Sequence, residues 1–98
     1  MVKNNSEDVI DIIIKKLKKK GAKKIEIFGS YAIGEEREDS DIDLIVEFKN
    51  NRTLLELIEI EQELSEALNR KIDMLTPSSI SPLIMEKISK EKKVIYSE

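Results

Sequence analysis

Two aspartates that alternate with apolar residues are the first indication of chemistry in this 98-residue chain. Asp41 and Asp43 open the segment DIDLIVEF, in which the residues between and after them are mostly apolar. In a β-strand both carboxylates would project from one face, roughly 6.5–7 Å apart, while the apolar residues would face a core. Adjacent carboxylates repel each other, and Mg²⁺ relieves that repulsion through carboxylate oxygens and substrate phosphates. The pair therefore predicts a cation site.

A glycine-serine turn precedes the two aspartates. Gly29 and Ser30 directly follow the apolar segment IEIF. Glycine lets the backbone approach a ligand closely, and exposed N–H groups at a helix start attract phosphate. Alone, the dipeptide would be read as an ordinary turn. Beside the paired aspartates, it predicts an anion cradle and a cation site within one short segment.

A third aspartate lies in the short apolar segment KIDML. Its neighbours share one face of a predicted strand, and Asp73 points to the other, where burial without a partner would be costly. We expect Asp73 to lie beside Asp41 and Asp43 on an adjacent strand. Three carboxylates could hold two Mg²⁺ ions, and Asp73 could also accept a proton from an attacking hydroxyl. The alternative is an edge-strand aspartate that faces water or pairs with an adjacent basic residue.

Apolar periodicity and turn residues predict the elements that position these side chains. They describe a small α/β (α+β) domain in which helices pack on a mixed β-sheet. The predicted helices cover 7–20, 54–69 and 82–89, the strands 25–28, 41–48, 71–75 and 94–96, and a short helical turn 30–33. All of these elements are expected to form one domain over residues 1–98.

Two predicted helix caps and the predicted apolar edge of the second helix refine this assignment of elements. Ser6 is expected to cap the first helix, and Thr53 with Glu56 forms the capping box of the second. The inner edge of the second helix is expected to be apolar, except where Glu61 interrupts it. Its expected members are Leu54, Leu57, Ile58, Leu64 and Leu68.

The composition excludes several classes of function. Cysteine and histidine are both absent, so disulfides, thiolate chemistry, histidine-based catalysis and the usual zinc sites are excluded, and any metal must be held by oxygen. The net charge of −3 argues against direct nucleic-acid binding through neutralised phosphates. No apolar run reaches membrane-spanning length and no signal-peptide pattern begins the chain, so we expect a cytoplasmic protein without a membrane partner.

The spacing of these motifs resembles that of a known family. A glycine-serine pair, ten residues, an Asp-x-Asp pair and a later strand aspartate are typical of the DNA polymerase beta-like nucleotidyltransferase superfamily. The segments GSYAIGEEREDSDIDL and KIDMLTP are similar to those of the minimal nucleotidyltransferases of prokaryotes. The likeness extends from the first predicted helix to the last strand and implies the palm-like nucleotidyltransferase fold.

The resemblance implies an activity and a role for each site residue. Minimal nucleotidyltransferases transfer a nucleotidyl group from a nucleoside triphosphate, here expected to be ATP, to a hydroxyl acceptor, using two Mg²⁺ ions. By this match Gly29 and Ser30 would hold the triphosphate. Asp41 and Asp43 would bind both metal ions, and Asp73 would bind the ion that activates the acceptor.

The resemblance also implies a partner. Minimal members are often encoded beside a small helical HEPN protein, frequently an RNase toxin. The nucleotidyltransferase then acts as the antitoxin, in some pairs by adenylylating a tyrosine of the toxin. A HEPN protein is therefore the expected partner and acceptor. The base preference, the acceptor and the oligomeric state, including a homo-oligomer, stay open.

One residue departs from the family pattern. Members usually carry arginine where this chain has Ile33. Isoleucine could simply pack under the turn beside an intact metal site, or its presence could mark a weakened enzyme. The main alternative function is accordingly a catalytically inactive interaction protein that neutralises its partner by binding. A third alternative is transfer to a small molecule.

Overall fold

Among the described residues, seven helices and strands follow one another in the predicted order, and a short 3₁₀ turn that was not predicted precedes the last helix. The computed structural model describes residues 5–29 and 41–98, with side chains from residue 9 onward in the first helix. The helices are α1 (Asn5–Lys19), α2 (Leu54–Leu68) and α3 (Pro82–Ile88); the strands are β1 (Ala22–Phe28), β2 (Ile42–Phe48), β3 (Ile72–Leu75) and β4 (Lys93–Ser97); the 3₁₀ turn is Pro77–Ser79. The predicted turn at 30–33, which includes Ser30 and Ile33, lies outside the described residues.

The four strands form one mixed sheet in the order β3-β2-β1-β4. The central strand β1 pairs antiparallel with β2 and with β4, whereas β2 pairs parallel with β3. The parallel pair needs a long crossover connection, and α2 supplies it. The predicted mixed α/β fold is therefore confirmed.

The core lies between one face of the sheet and helices α1 and α2. Alternate residues of β2 are fully buried, as the sequence predicted for Ile42, Leu44 and Val46. They pack with Ile13, Leu17, Ile25, Ile27, Ile60, Leu64 and Ile72 in one aliphatic cluster. Because residues of a strand alternate between faces, burial of these side chains directs Asp43 to the opposite face.

Two local predictions are wrong. Helix α1 begins at Asn5, so Ser6 lies inside the helix and does not precede it as a cap. The apolar edge of α2 is also displaced, because Leu54 and Ile58 are 74% and 42% exposed while Ile60 is buried. A helix turns about 100° per residue, and only positions near the middle of the buried arc can reach the sheet.

The caps of the later helices are as predicted. Thr53 and Glu56 form a reciprocal capping box at the start of α2. Asn69 ends that helix in the left-handed conformation and turns the chain back towards β3. Ser81 caps α3, which begins with Pro82. No helix among the described residues is both long and apolar enough to span a membrane.

Candidate active site

The parallel pairing of β2 with β3 brings two of the three predicted aspartates together. The register sets Asp43 directly opposite Asp73, between the pairs Ile42–Ile72 and Leu44–Met74. Both aspartates face away from the aliphatic core, since Ile42 and Ile72 are buried in it. The expected adjacency of Asp43 and Asp73 is therefore observed.

The pKa of Asp43 reflects this crowding. It is raised from 3.8 to about 6, chiefly by burial and next by repulsion from Asp73 and a hydrogen bond with that side chain. Asp41 raises the pKa further, and Lys71 opposes the shift. The Asp43 carboxyl group is therefore protonated more readily than a free aspartate and can then donate a hydrogen bond to Asp73.

Asp41 lies just before β2 and contributes to the raised pKa of Asp43. Its side chain is half exposed, and a carboxylate oxygen lies 4.0 Å from Nζ of Lys71. Residues 5–29 and 41–98 contain no group of three or more acidic side chains arranged to hold a metal ion. In this structure Asp41 lies near Lys71, and its place in a three-carboxylate metal site stays a prediction.

Gly29 brings the backbone of the turn directly against Asp43. Its φ is +75°, which glycine adopts without strain, and a Cβ at this position would lie 2.6 Å from Oδ2 of Asp43. No ordinary side chain could be accommodated there without a shift. Gly29 therefore belongs to the same site as Asp43, whereas Ser30 lies outside the described residues.

A cavity of about 500 Å³ opens over the two facing aspartates. Most of its wall is apolar, and it extends from the end of β1 to α3 and the edge of α2. Its lining comprises Phe28, Asp43, Glu61, Asp73, Met74, Leu75, Ile84, Lys87 and Ile88. An apolar cavity with a few convergent polar groups is the usual form of a small-molecule site.

Several residues that line this cavity were not identified from the sequence. Glu61 interrupts the apolar inner edge of α2 in the sequence. This interruption indicated a polar site, because a carboxylate on an inner helix face needs a polar partner. No comparable signal identified Phe28 or the α3 side chains Ile84, Lys87 and Ile88. Their proximity to the aspartates depends on how α3 is placed against the sheet.

A second cavity, of about 530 Å³, lies near the start of α2 and includes Arg52 and Phe48. The Arg52 guanidinium donates to the carbonyl of Lys20, lies 3.6 Å from a carboxylate oxygen of Glu56 and stacks 5.5 Å from the Phe48 ring centre. These contacts account for the arginine as a brace between elements. This cavity is therefore not taken as the active site.

Comparison with known proteins agrees with this geometry. Residues 11–98 match the family described as Polymerase beta, Nucleotidyltransferase. MJ0435 of Methanocaldococcus jannaschii, provisionally named a protein adenylyltransferase, is 44% identical over 87 residues, which are 89% of this chain and 94% of the relative. The protein adenylyltransferase MntA of Thermococcus cleftensis is 38% identical over 76 residues, which are 78% of this chain and 75% of the relative.

A solved structure shares the fold. A chain in a crystal structure described as a toxin-antitoxin with AMP-PNP superimposes with a TM-score of 0.80 at 26% identity. The match covers 91% of this chain and 73% of that chain. The family match spans most of the sequence, and it includes the strands that carry Asp43 and Asp73. The chain therefore belongs to the polymerase beta nucleotidyltransferase family and is a nucleotidyltransferase similar to the protein adenylyltransferases.

Proposed function

We propose that this nucleotidyltransferase transfers AMP from ATP to a hydroxyl group of a toxin partner, a small helical HEPN protein, and thereby acts as its antitoxin. The observation that carries the proposal is the parallel register that sets Asp43 opposite Asp73 beside the Gly29 turn. The adenylyltransferase names of the relatives support transfer of AMP. The neighbour described as a toxin-antitoxin with AMP-PNP supports ATP and a toxin.

The donor set suits Mg²⁺. Only oxygen ligands are available in this chain, which lacks cysteine and histidine, and the pKa of Asp43 is raised first by burial and then by the neighbouring carboxylate of Asp73. Asp41 and Asp43 would hold two Mg²⁺ ions, with Asp73 on the ion nearer the acceptor. Asp41 would first leave Lys71, which costs little because the pair is long and exposed. Bound Mg²⁺ would neutralise the carboxylates and stabilise charge on the phosphates.

The chain's own groups would then bind and orient the reactants. Gly29 brings the backbone directly against Asp43, and the Ser30 hydroxyl would donate a hydrogen bond to the triphosphate. The acceptor oxygen attacks the α-phosphorus and forms a new P–O bond, the bond to the bridging oxygen breaks, and pyrophosphate leaves. The proton of the acceptor hydroxyl passes to the carboxylate of Asp73.

We further propose that residues 1–98 act as one domain, and that the protein acts in the cytoplasm, where ATP is available.

A second candidate function is neutralisation of the partner by binding without transfer. Ile33 stands where members usually have arginine. Helix α2 also exposes three apolar side chains, with Leu54 at 74%, Leu55 at 68% and Ile58 at 42% exposure. Adjacent exposed apolar residues often mark a protein-binding surface. This candidate requires the surface but not the aspartates.

One experiment separates the two functions. The chain is incubated with ATP labelled at the α-phosphate, Mg²⁺ and the HEPN protein encoded beside it. We expect label on the partner with the wild type and with Asp11→Asn, a control at an exposed α1 position. Asp43→Asn and Asp73→Asn should transfer no label, and EDTA should abolish transfer by the wild type. Neutralisation of the toxin by both inactive variants would instead favour the binding function.

A further inference from the structure

Glu61 is a carboxylate on the inner side of α2 that none of the roles above uses. Its Oε2 accepts a hydrogen bond of 2.9 Å from the backbone N–H of Met74, and the contact is partly buried. Glu61 also lines the cavity that contains Asp43 and Asp73. Its neighbours on the inner side of α2, Ile60 and Leu64, are buried and apolar. An apolar side chain at this position would enlarge the contact between α2 and the core, so packing alone does not explain the carboxylate.

The bond to Met74 falls on the free edge of the sheet. Strand β3 has four residues, is an edge strand and pairs only with β2. The carbonyl of Lys71 accepts from the N–H of Ile42 on β2. Because backbone groups alternate in direction along a strand, those of Asp73 point to β2 and those of Met74 point away from it. Glu61 therefore holds the side of β3 that β2 cannot reach.

We propose that Glu61 is a positioning residue that sets Asp73 in the active site. One face of the short strand is anchored by buried Ile72, and β2 holds one edge. The bond from Glu61 to the next residue, Met74, restrains the other edge and with it the rotation of the strand about its axis. Residues that orient ligating carboxylates affect metal affinity and rate by about 10–100-fold when they are replaced. The effect on rate, though not on the strand itself, rests on the proposed function.

A purely structural role for Glu61 makes a different prediction. If the residue served only the fold, its effect would follow the melting temperature. Glu61→Leu separates the roles, because leucine extends the apolar side of α2 but cannot accept a bond from Met74. Glu61→Gln keeps an acceptor oxygen and serves as the rescuing variant. Glu66→Leu is the matched control, at an exposed position of the same helix.

The test combines three measurements on the full chain. They are the transfer kinetics over a range of ATP concentrations, the affinity for Mn²⁺ in the presence of AMP-PNP, and hydrogen exchange at the Met74 amide. Thermal unfolding of each variant accompanies them as the check on the fold. For Glu61→Leu we expect a transfer rate and a Mn²⁺ affinity about 10–100-fold lower, with the KM for ATP within about twofold and a melting temperature no lower than wild type. Exchange at Met74 should be at least about tenfold faster, because the amide loses its acceptor.

The two control variants test whether the effect is specific to the lost hydrogen bond. Glu61→Gln and Glu66→Leu should stay close to the wild type in all three measurements. A Glu61→Leu variant with wild-type rate and Mn²⁺ affinity would overturn the proposal, and so would a Glu61→Gln variant as impaired as Glu61→Leu. If the wild type transfers no label at all, the proposed function fails. Unchanged Mn²⁺ affinity and unchanged Met74 exchange in Glu61→Leu would then refute the positioning role separately.

Discussion

Replacing Asp43 by asparagine should stabilise the metal-free protein at neutral pH. The pKa of Asp43 rises from 3.8 to about 6, first because of burial and then because of Asp73. At 1.36 kcal/mol per pKa unit, the ionised folded state is penalised by at most about 3 kcal/mol. Solvent around this partly exposed side chain screens the repulsion, so we expect about 1–2 kcal/mol. Asparagine has the same shape, carries no charge and can still donate a hydrogen bond to Asp73.

The sign of the pH dependence follows from the raised pKa. Well below pH 3.8 the carboxyl group is protonated in both the folded and the unfolded state, so the full contribution to stability is present. Between about pH 4 and pH 6 the unfolded chain releases the proton while the folded chain retains it, and the wild type loses stability. Above pH 6 the loss is complete. The asparagine variant does not titrate at this position, so its advantage should appear only as the pH rises.

The assay is thermal unfolding of wild type and Asp43→Asn in EDTA at pH 4 and at pH 8. For a domain of this size, 1 kcal/mol corresponds to about 4–8 °C, so a gain of about 1–2 kcal/mol should raise the melting temperature of the variant by about 4–16 °C at pH 8. At pH 4, close to the unfolded pKa of 3.8, the difference should be much smaller. Asp11→Asn, at an exposed α1 position, should show no such difference. A variant that melts below the wild type at pH 8, or a difference that does not change with pH, would refute the reasoning.

Three further predictions concern the turn, the ligands and the opposite end of the sheet. Gly29→Ala should destabilise the fold by about 1–2 kcal/mol and abolish most transfer, because the φ of Gly29 is +75° and the new Cβ would meet Asp43. Gly21→Ala is the control, because Gly21 has a φ of +90°. It should lower the stability by a similar amount in a melting assay, yet retain transfer at a temperature where the variant is folded. Mg²⁺ should strengthen ATP binding and ATP should strengthen Mg²⁺ binding, and calorimetry that finds the ATP affinity unchanged by EDTA would contradict this coupling. Lys92→Met should lower stability by about 2 kcal/mol, measured by urea unfolding, because Glu26 is only 6% exposed and its carboxylate lies 3.0 Å from the lysine amine; an unchanged midpoint would mean that water replaces the lysine.

Local signals explain why much of the fold could be predicted. The alternation of apolar residues after Asp41 identified β2 and its buried face, and the capping box of Thr53 with Glu56 located the start of α2. These signals act over a few residues, so no knowledge of distant contacts is needed to interpret them. The Ser6 cap and the edge of α2 through Leu54 and Ile58 were predicted wrongly. In α2 several positions satisfied the local rule, and packing in the core selected Ile60 and Leu64.

The sequence by itself indicated candidate cation ligands among the carboxylates and determined that Asp43 would face away from the core. It also indicated that a strand aspartate such as Asp73 needed a partner. Only the tertiary structure decided that β3 lies parallel to β2 in the register that opposes these two aspartates, because a slip of one residue would have turned Asp73 towards the core. It likewise directed Asp41 to Lys71 and joined Glu61 to Met74. These contacts join residues that are far apart in the sequence, because the crossover through α2 brings β3 beside β2. No local sequence pattern specifies contacts over that separation.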